Sequence, residues 1–89
     1  MLTNNNIQIS ANKVVVGELS SISMLNEDIA QHYLAKLKST RLRPSARKSN
    51  SGWISCLENE EGTMLLFSDC YPSQELAQSK ADEANRLLK

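Results

Sequence analysis

Side chains that could act as a general base or a nucleophile near neutral pH are few in this sequence. They are one histidine, His32, and two cysteines, Cys56 and Cys70. A histidine can exchange protons at pH 7, and a cysteine becomes a nucleophile when a base lies beside it. We interpret His32 as a surface residue of a predicted helix and Cys56 as a small hydrophobic residue of a predicted strand. Cys70, beside Asp69, is expected to be the more exposed thiol, and we expect no enzymatic activity.

Metal and cofactor chemistry is also not indicated. Two distant cysteines and one histidine do not make a zinc site. Glu58, Glu60 and Glu61 lie at a predicted hairpin tip without EF-hand spacing, so they are interpreted as a solvated turn. The sequence has no phosphate-binding loop or dinucleotide fingerprint, and its 3 glycines never stand together. We expect no metal and no cofactor.

The charges are separated along the chain although their sum is zero. From Ile29 to Leu57 there are six basic residues and no acidic one, while the remainder holds ten acidic and four basic residues. Separated charge creates a local field that the net charge conceals, and it favours a surface for an anionic partner. The expected partner is nucleic acid or an acidic protein surface.

The predicted contact residues combine these cations with one aromatic side chain that could stack on a base or cover a cation. They are Lys36, Lys38, Arg41, Arg43, Arg47, Lys48 and Trp53. The alternative is that the cations only solvate a long connector while Trp53 closes the end of the core. A pI near 6.6 is far below the values above nine that are typical of general nucleic-acid binders.

The length and composition predict one small domain over residues 1–89, with residues 1–6 frayed. Only four residues are aromatic, so the core should be small and aliphatic. The two cysteines do not face each other in any plausible register of the predicted hairpin, which favours free thiols. Free thiols, the lack of signal-peptide features and the lack of a long apolar run predict a cytoplasmic protein without membrane contact.

The first half of the chain is predicted to form a β-hairpin and a helix. Alternating apolar residues indicate a strand over 7–10, and a run of β-branched residues indicates a second strand over 13–19. The turn between them includes Asn12, which tolerates a left-handed conformation. A serine-rich loop follows over 20–23. Asn26 is the expected N-cap of a helix over 27–39.

The second half is predicted to repeat this pattern after a basic connector over 40–52. Pro44 disfavours a regular central strand, so 45–51 is expected to be a mobile loop. A hairpin follows, with strands over 53–57 and 63–68 and a turn over 59–62. Ser73 is the expected cap of the last helix, whose buried side is predicted from apolar spacing: Leu76, Ala77, Ala81, Ala84, Leu87 and Leu88.

These elements predict an α+β fold of two successive β-hairpin–helix units (ββαββα), an antiparallel sheet with two helices packed on one face. An ancient duplication is one hypothesis for the repeat. The pattern from Trp53 onward is similar in topology to the arm-binding domains of phage integrases and to small antitoxin folds, without a diagnostic motif of either.

Three functions fit this sequence. The first is a non-enzymatic binding module whose basic connector docks on nucleic acid or a nucleoprotein. The second is a small protein-binding regulator or inhibitor, of the kind that mobile elements encode, which captures a host protein by charge complementarity. The third is a structural homodimer.

Overall fold

A six-stranded antiparallel sheet with the strand order β1-β2-β3-β6-β5-β4 runs through the protein. The structure is a computed structural model that describes residues 6–89. Its elements are β1 (Ile7–Ser10), β2 (Lys13–Val16), β3 (Leu19–Ser20), α1 (Glu27–Ser39), β4 (Arg43–Ser49), β5 (Gly52–Glu58), β6 (Met64–Tyr71) and α2 (Gln74–Leu87). Residues 1–5, most of the segment predicted to be frayed, lie outside the described residues. Neither helix in the described part is long and apolar enough to cross a membrane.

The α+β class is confirmed, but the predicted ββαββα order is not, because each helix follows three strands. In the first half the extra strand arises at Gly17, which has φ +61° and ends the predicted strand 13–19 early. The chain turns there, and Leu19 pairs back onto Val16. The N–H of Gly17 also donates to the carbonyl of Asn6 at 2.7 Å. A two-residue strand such as β3 has no periodicity from which it could be recognised.

In the second half the extra strand is β4, so the prediction of a mobile loop over 45–51 is wrong. The 7 residues of β4 pair with β5 from Arg43↔Glu58 to Ser49↔Gly52. Pro44 is tolerated because β4 is an edge strand, which needs ladder hydrogen bonds on one side only. The carbonyl of Pro44 accepts a hydrogen bond from Gln78 Nε2 of α2 at 3.2 Å.

The strand order is symmetric about the centre of the sheet: each half of the chain contributes three strands in the same order from the centre to the edge. β3 and β6 meet in the middle through one residue pair, Ser20↔Phe67, and each half continues outward with its second and then its first strand. This is the order that a repeated βββα unit would produce. The duplication hypothesis remains a prediction.

Both helices cover the same face of the sheet. The core is aliphatic, with Leu37 of α1 and Ala84 of α2 packed in one cluster with inward-facing strand residues: Val14, Val16, Leu19, Leu57 and Leu66. The predicted buried alanines of α2 are confirmed, because Ala77, Ala81 and Ala84 have no exposed surface. Leu76, which was predicted to be buried, is exposed, because it lies one position before Ala77 and outside the contact stripe.

The predicted ends of the helices and turns are largely confirmed. The side chain of Asn26 accepts a hydrogen bond from the N–H of Ile29 at 2.9 Å, and that of Ser73 accepts one from the N–H of Leu76 at 3.1 Å. The turn between β1 and β2 contains positive φ angles at both Ala11 and Asn12, the geometry of a two-residue type I′ hairpin. These local signals therefore placed the caps and the first turn correctly.

Candidate anion-binding site

The seven predicted contact residues do not form one surface. They fall into three groups. One lies at or just after the end of α1, one lies on one face of β4, and one lies on the opposite face of β4 and β5. Lys36, Lys38 and Arg41 form the first group, whereas Arg43 and Arg47 occupy alternate positions of β4 and point to one side of the sheet. Lys48 and Trp53 are cross-strand partners on the opposite side. Each group has different neighbours and therefore a different chemistry.

The arginines of β4 are both bound to the same carboxylate. Arg47 Nη2 lies 2.6 Å from Glu58 Oε2, and Arg47 Nε donates to the same oxygen at 2.8 Å. Arg43 Nη2 lies 3.3 Å from Glu58 Oε1. Arg47 Nη2 also donates to the carbonyl of Gly62 at 2.9 Å, so its guanidinium joins β4 to the turn beyond β5. Glu58, predicted to belong to a solvated turn, is only 5% exposed.

This arrangement gives the group a net charge of about +1 instead of +2. The hydrogen bond from Arg47 holds the pKa of Glu58 below its ordinary value, against the opposing effect of burial. The same contact raises the pKa of Arg47. The carboxylate is therefore ionised at neutral pH, and it consumes part of the donor capacity of both arginines. The role that we assign to Arg43, Arg47 and Glu58 is therefore primarily structural.

The cysteine beside this ion pair is sequestered. Cys56 is buried, with Sγ 3.6 Å from the carbonyl of Ser45 and 3.8 Å from Glu58 Oε2. Burial, followed by the negative charge of Glu58, raises the pKa of the Cys56 thiol. Cys70 is exposed, and its Sγ lies 3.1 Å from Ser49 Oγ. The predicted free thiols are confirmed for both cysteines.

Trp53 already has a cation on its ring. Lys48 Nζ lies 5.3 Å from the ring centroid, within the range of a cation–π contact. Trp53 also pairs across the sheet with Tyr71, whose hydroxyl donates to Glu18 Oε1 at 3.0 Å. Burial, followed by that hydrogen bond, raises the pKa of Tyr71 to about 12. A base that stacks on the same face of the Trp53 ring would have to replace Lys48.

Two of the remaining predicted cations, Lys38 and Arg41, lie at a cleft between the ends of the two helices. This cleft of about 480 Å³ has apolar and polar walls with three basic side chains among them: Leu37, Lys38, Thr40, Arg41, Leu42, Asn85, Leu88 and Lys89. No acidic side chain is among its lining residues in the part of the chain that the structure describes. We call the set Lys38, Arg41 and Lys89 the basic cleft.

The local structure explains why these side chains meet. Thr40 caps α1, with its N–H donating to the carbonyl of Leu37 at 3.4 Å and its Oγ1 donating to that of Lys36 at 2.6 Å. The chain then turns away, which leaves Arg41 beside the helix end. Leu88 is 7% exposed and anchors the end of α2 in the core, so Lys89 reaches the same cleft. Lys36 does not line the cleft.

The three cations of the basic cleft carry more positive charge than the partial negative charges of the two helix C-termini can offset. Each helix C-terminus carries a partial charge of about −0.5, so two ends offset about one of the three cations. Arg41 Nε lies 3.8 Å from Glu60 Oε2, but both side chains are highly exposed, at 84% and 75%. Such a surface pair is weak and exchanges readily for another anion. Positive charge therefore remains at the cleft for an anionic ligand.

Sequence reasoning identified Lys36, Lys38 and Arg41 at the end of α1 but missed Asn85 and Lys89. The only available signal was that both helices end in a similar way, with leucine followed by lysine. The other residues considered for catalysis or metal binding do not come together in a site within the described part of the chain. His32 is exposed on α1, and residues 6–89 contain no cluster of three His, Cys, Asp or Glu side chains that could hold a metal ion.

Comparisons of the chain with protein-family models, curated proteins and solved structures find no match. The function is therefore inferred from the chemistry of the basic cleft alone.

Proposed function

We propose that this protein is a small non-enzymatic binding module that docks on an anionic partner, nucleic acid or a nucleoprotein, through the basic cleft. The observation that carries the proposal is the composition of the cleft, where Lys38, Arg41 and Lys89 converge and no acidic side chain from residues 6–89 is among the lining residues. Cations from two different helix ends and one connecting segment meet there, although they lie far apart in sequence.

The chemistry of the cleft suits a phosphate group. Arginine presents a planar set of donors that matches two phosphate oxygens, and lysine adds compact positive charge. Leu37, Leu42 and Leu88 supply the apolar part of the cleft wall. A phosphodiester carries one charge per unit, so the three cations of the cleft match up to three successive phosphates of a single strand.

The features of β4 disfavour a homodimer that pairs through this edge of the sheet. Pro44 has no N–H to donate, and its carbonyl is already bound to Gln78. Charged side chains at Arg43, Arg47 and Lys48 also discourage the addition of a strand to this edge. The β4 edge is therefore a poorer site for a partner than the cleft.

The test is a comparison of two double variants that remove the same charge. A fluorescein-labelled single-stranded oligonucleotide is titrated with protein while its anisotropy is measured, using K38A/K89A and the matched control K13A/K80A. We expect about tenfold weaker binding for the cleft variant and little change for the control. For the unaltered protein, three phosphate contacts predict a slope of log affinity against log salt of about −2. Equal weakening of both double variants, or no binding by the unaltered protein, would refute the proposal.

A further inference from the structure

In the loop between β3 and α1, a polar side chain is buried and two large apolar side chains are exposed, which is the reverse of an ordinary surface loop. Ser21 is 2% exposed, while Ile22 is 65% exposed and Leu25 is 82% exposed. A folded chain normally buries large aliphatic side chains in preference to serine, because burying one of them stabilises a protein by roughly 1.5–3 kcal/mol. Two exposed aliphatic residues in one short loop therefore require a physical explanation.

Hydrogen bonds hold this loop in place. Ser21 Oγ accepts from the N–H of Val14 at 3.0 Å and donates to the carbonyl of Ile22 at 2.8 Å. Ser23 Oγ donates to the carbonyl of Ala11 at 2.9 Å, and the N–H of Met24 donates to that of Asn12 at 2.7 Å. The two serines thus anchor the backbone, which keeps the neighbouring apolar side chains turned outward.

The start of α1 adds to this exposure. Leu25 precedes the N-cap Asn26, a position from which a hydrophobic residue usually packs against the fourth residue of the helix. That fourth residue is Ala30, which is already buried in the core and offers no bulky side chain. Ile29, one residue earlier in the first turn, is 41% exposed. We call Ile22, Leu25 and Ile29, three exposed aliphatic residues within eight positions of the chain, the apolar loop patch.

The charges beside the patch indicate what could cover it. Glu27 and Asp28 follow Leu25 closely and are both exposed, while Ile22 lines a pocket with two acidic residues and one basic residue, Glu18, Asp69 and Lys13. A second copy of the chain on the same patch would bring four carboxylates together, which is unfavourable. An apolar surface with a rim of lysine or arginine would instead be complementary in polarity and charge.

We propose that the apolar loop patch is a docking surface for a partner protein whose contact surface is apolar and rimmed by Lys or Arg. Because the loop is held in place before binding, little conformational entropy is lost when Ile22 and Leu25 become buried. The patch lies at the beginning of the 13-residue helix α1, and the basic cleft lies at its end, about 20 Å away. The two surfaces can therefore be occupied at the same time.

A selection from random peptides tests this proposal whatever the identity of the partner. A phage-displayed library of dodecamer peptides is selected on the immobilised protein and depleted on the variant I22S/L25S. We expect enriched peptides with at least two large apolar residues and a positive net charge. The best peptide, made synthetically, should bind I22S/L25S at least tenfold more weakly and E27Q/D28N about threefold more weakly. It should bind the cleft variant K38A/K89A as it binds the unaltered protein.

Failure to enrich peptides over the depletion step, enrichment of acidic peptides, or equal affinity for I22S/L25S would overturn the proposal. A dimer that is seen by sedimentation and is lost in I22S/L25S would also overturn it, because the occupant would then be a second copy. Both substituted side chains are exposed, so the variant should unfold within a few degrees of the unaltered protein. Thermal unfolding followed by circular dichroism provides this control.

Discussion

Arg47 Nη2 lies 2.6 Å from Glu58 Oε2, and this contact fastens the edge strand β4 to its neighbour β5. The same guanidinium reaches the carbonyl of Gly62 at 2.9 Å. One side chain therefore connects β4, β5 and the turn that leads to β6. Glu58 is almost fully buried on this side, so its charge depends on the two arginines for solvation.

Replacement of Arg47 should destabilise the protein more than replacement of Arg43. Arg47 makes the shorter contact with Glu58 and an additional hydrogen bond, whereas Arg43 makes one contact at 3.3 Å. R47A should lower the midpoint of thermal unfolding by about 5 °C, and R43A by about half as much. Calorimetry on both variants checks the order. A larger effect of R43A would contradict the assignment of Arg47 as the principal partner.

The stability of the protein should fall at acidic pH through Glu58. Its pKa is lowered in the folded protein from an ordinary value of 4.5, so the unfolded chain binds more protons in acid. The stabilisation is therefore present above pH 4.5 and is lost as the pH falls through the folded-state pKa. Urea unfolding at several pH values should show a steeper loss for the unaltered protein than for E58Q. Parallel pH profiles would contradict this account of Glu58.

Elements that are marked by interactions within a few residues were predictable from the sequence. Elements that form only by contact with a distant segment of the chain were not. Asn26 and Ser73 marked the helix starts because a cap interacts with its own first turn. β4 was missed because an edge strand containing Pro44 has no apolar alternation, and only pairing with β5 makes it a strand. Among the cleft residues, Lys89 was missed because it meets Arg41 only through the packing of the helix ends.

Gly52 should tolerate substitution far less than Gly62. Gly52 has φ +148°, and an added Cβ would collide with the carbonyl oxygen of Tyr71 in the neighbouring strand. Gly62 has φ +87° with open space around it, so only backbone strain arises. We expect G52A to cost at least about 2 kcal/mol and G62A about 1 kcal/mol of unfolding free energy. Denaturant titrations of both variants measure this, and a more stable G52A than G62A would contradict the β5–β6 register.

The two thiols should differ sharply in reactivity. Cys70 is exposed, whereas Cys56 is buried and its thiol pKa is raised. A colourimetric disulfide reagent should therefore modify one thiol in the folded protein at once and the second only after denaturant is added. C70S should abolish the rapid reaction and C56S should leave it intact. Rapid modification of C70S in the folded state would show that Cys56 is accessible.

Removal of the carboxylate beside the basic cleft should strengthen anion binding. Glu60 competes for Arg41 through the contact at 3.8 Å. E60Q should raise the affinity for a single-stranded oligonucleotide about twofold to threefold, because it frees this guanidinium and removes one repulsive charge. E83Q, on the exposed side of α2, is the matched control with the same change of charge. An equal gain in both variants would mean that only the net charge matters.

Chemical-shift mapping with a short phosphorylated oligonucleotide locates the anion site directly. The protein is labelled with ¹⁵N, and the amide resonances are followed as the oligonucleotide is added at low salt. We predict that the largest shifts occur at residues 37–42 and 85–89, around Lys38, Arg41 and Lys89, and that they vanish in K38A/K89A. Largest shifts along β4 and β5, or shifts spread evenly over all basic residues, would contradict the basic cleft as the binding site.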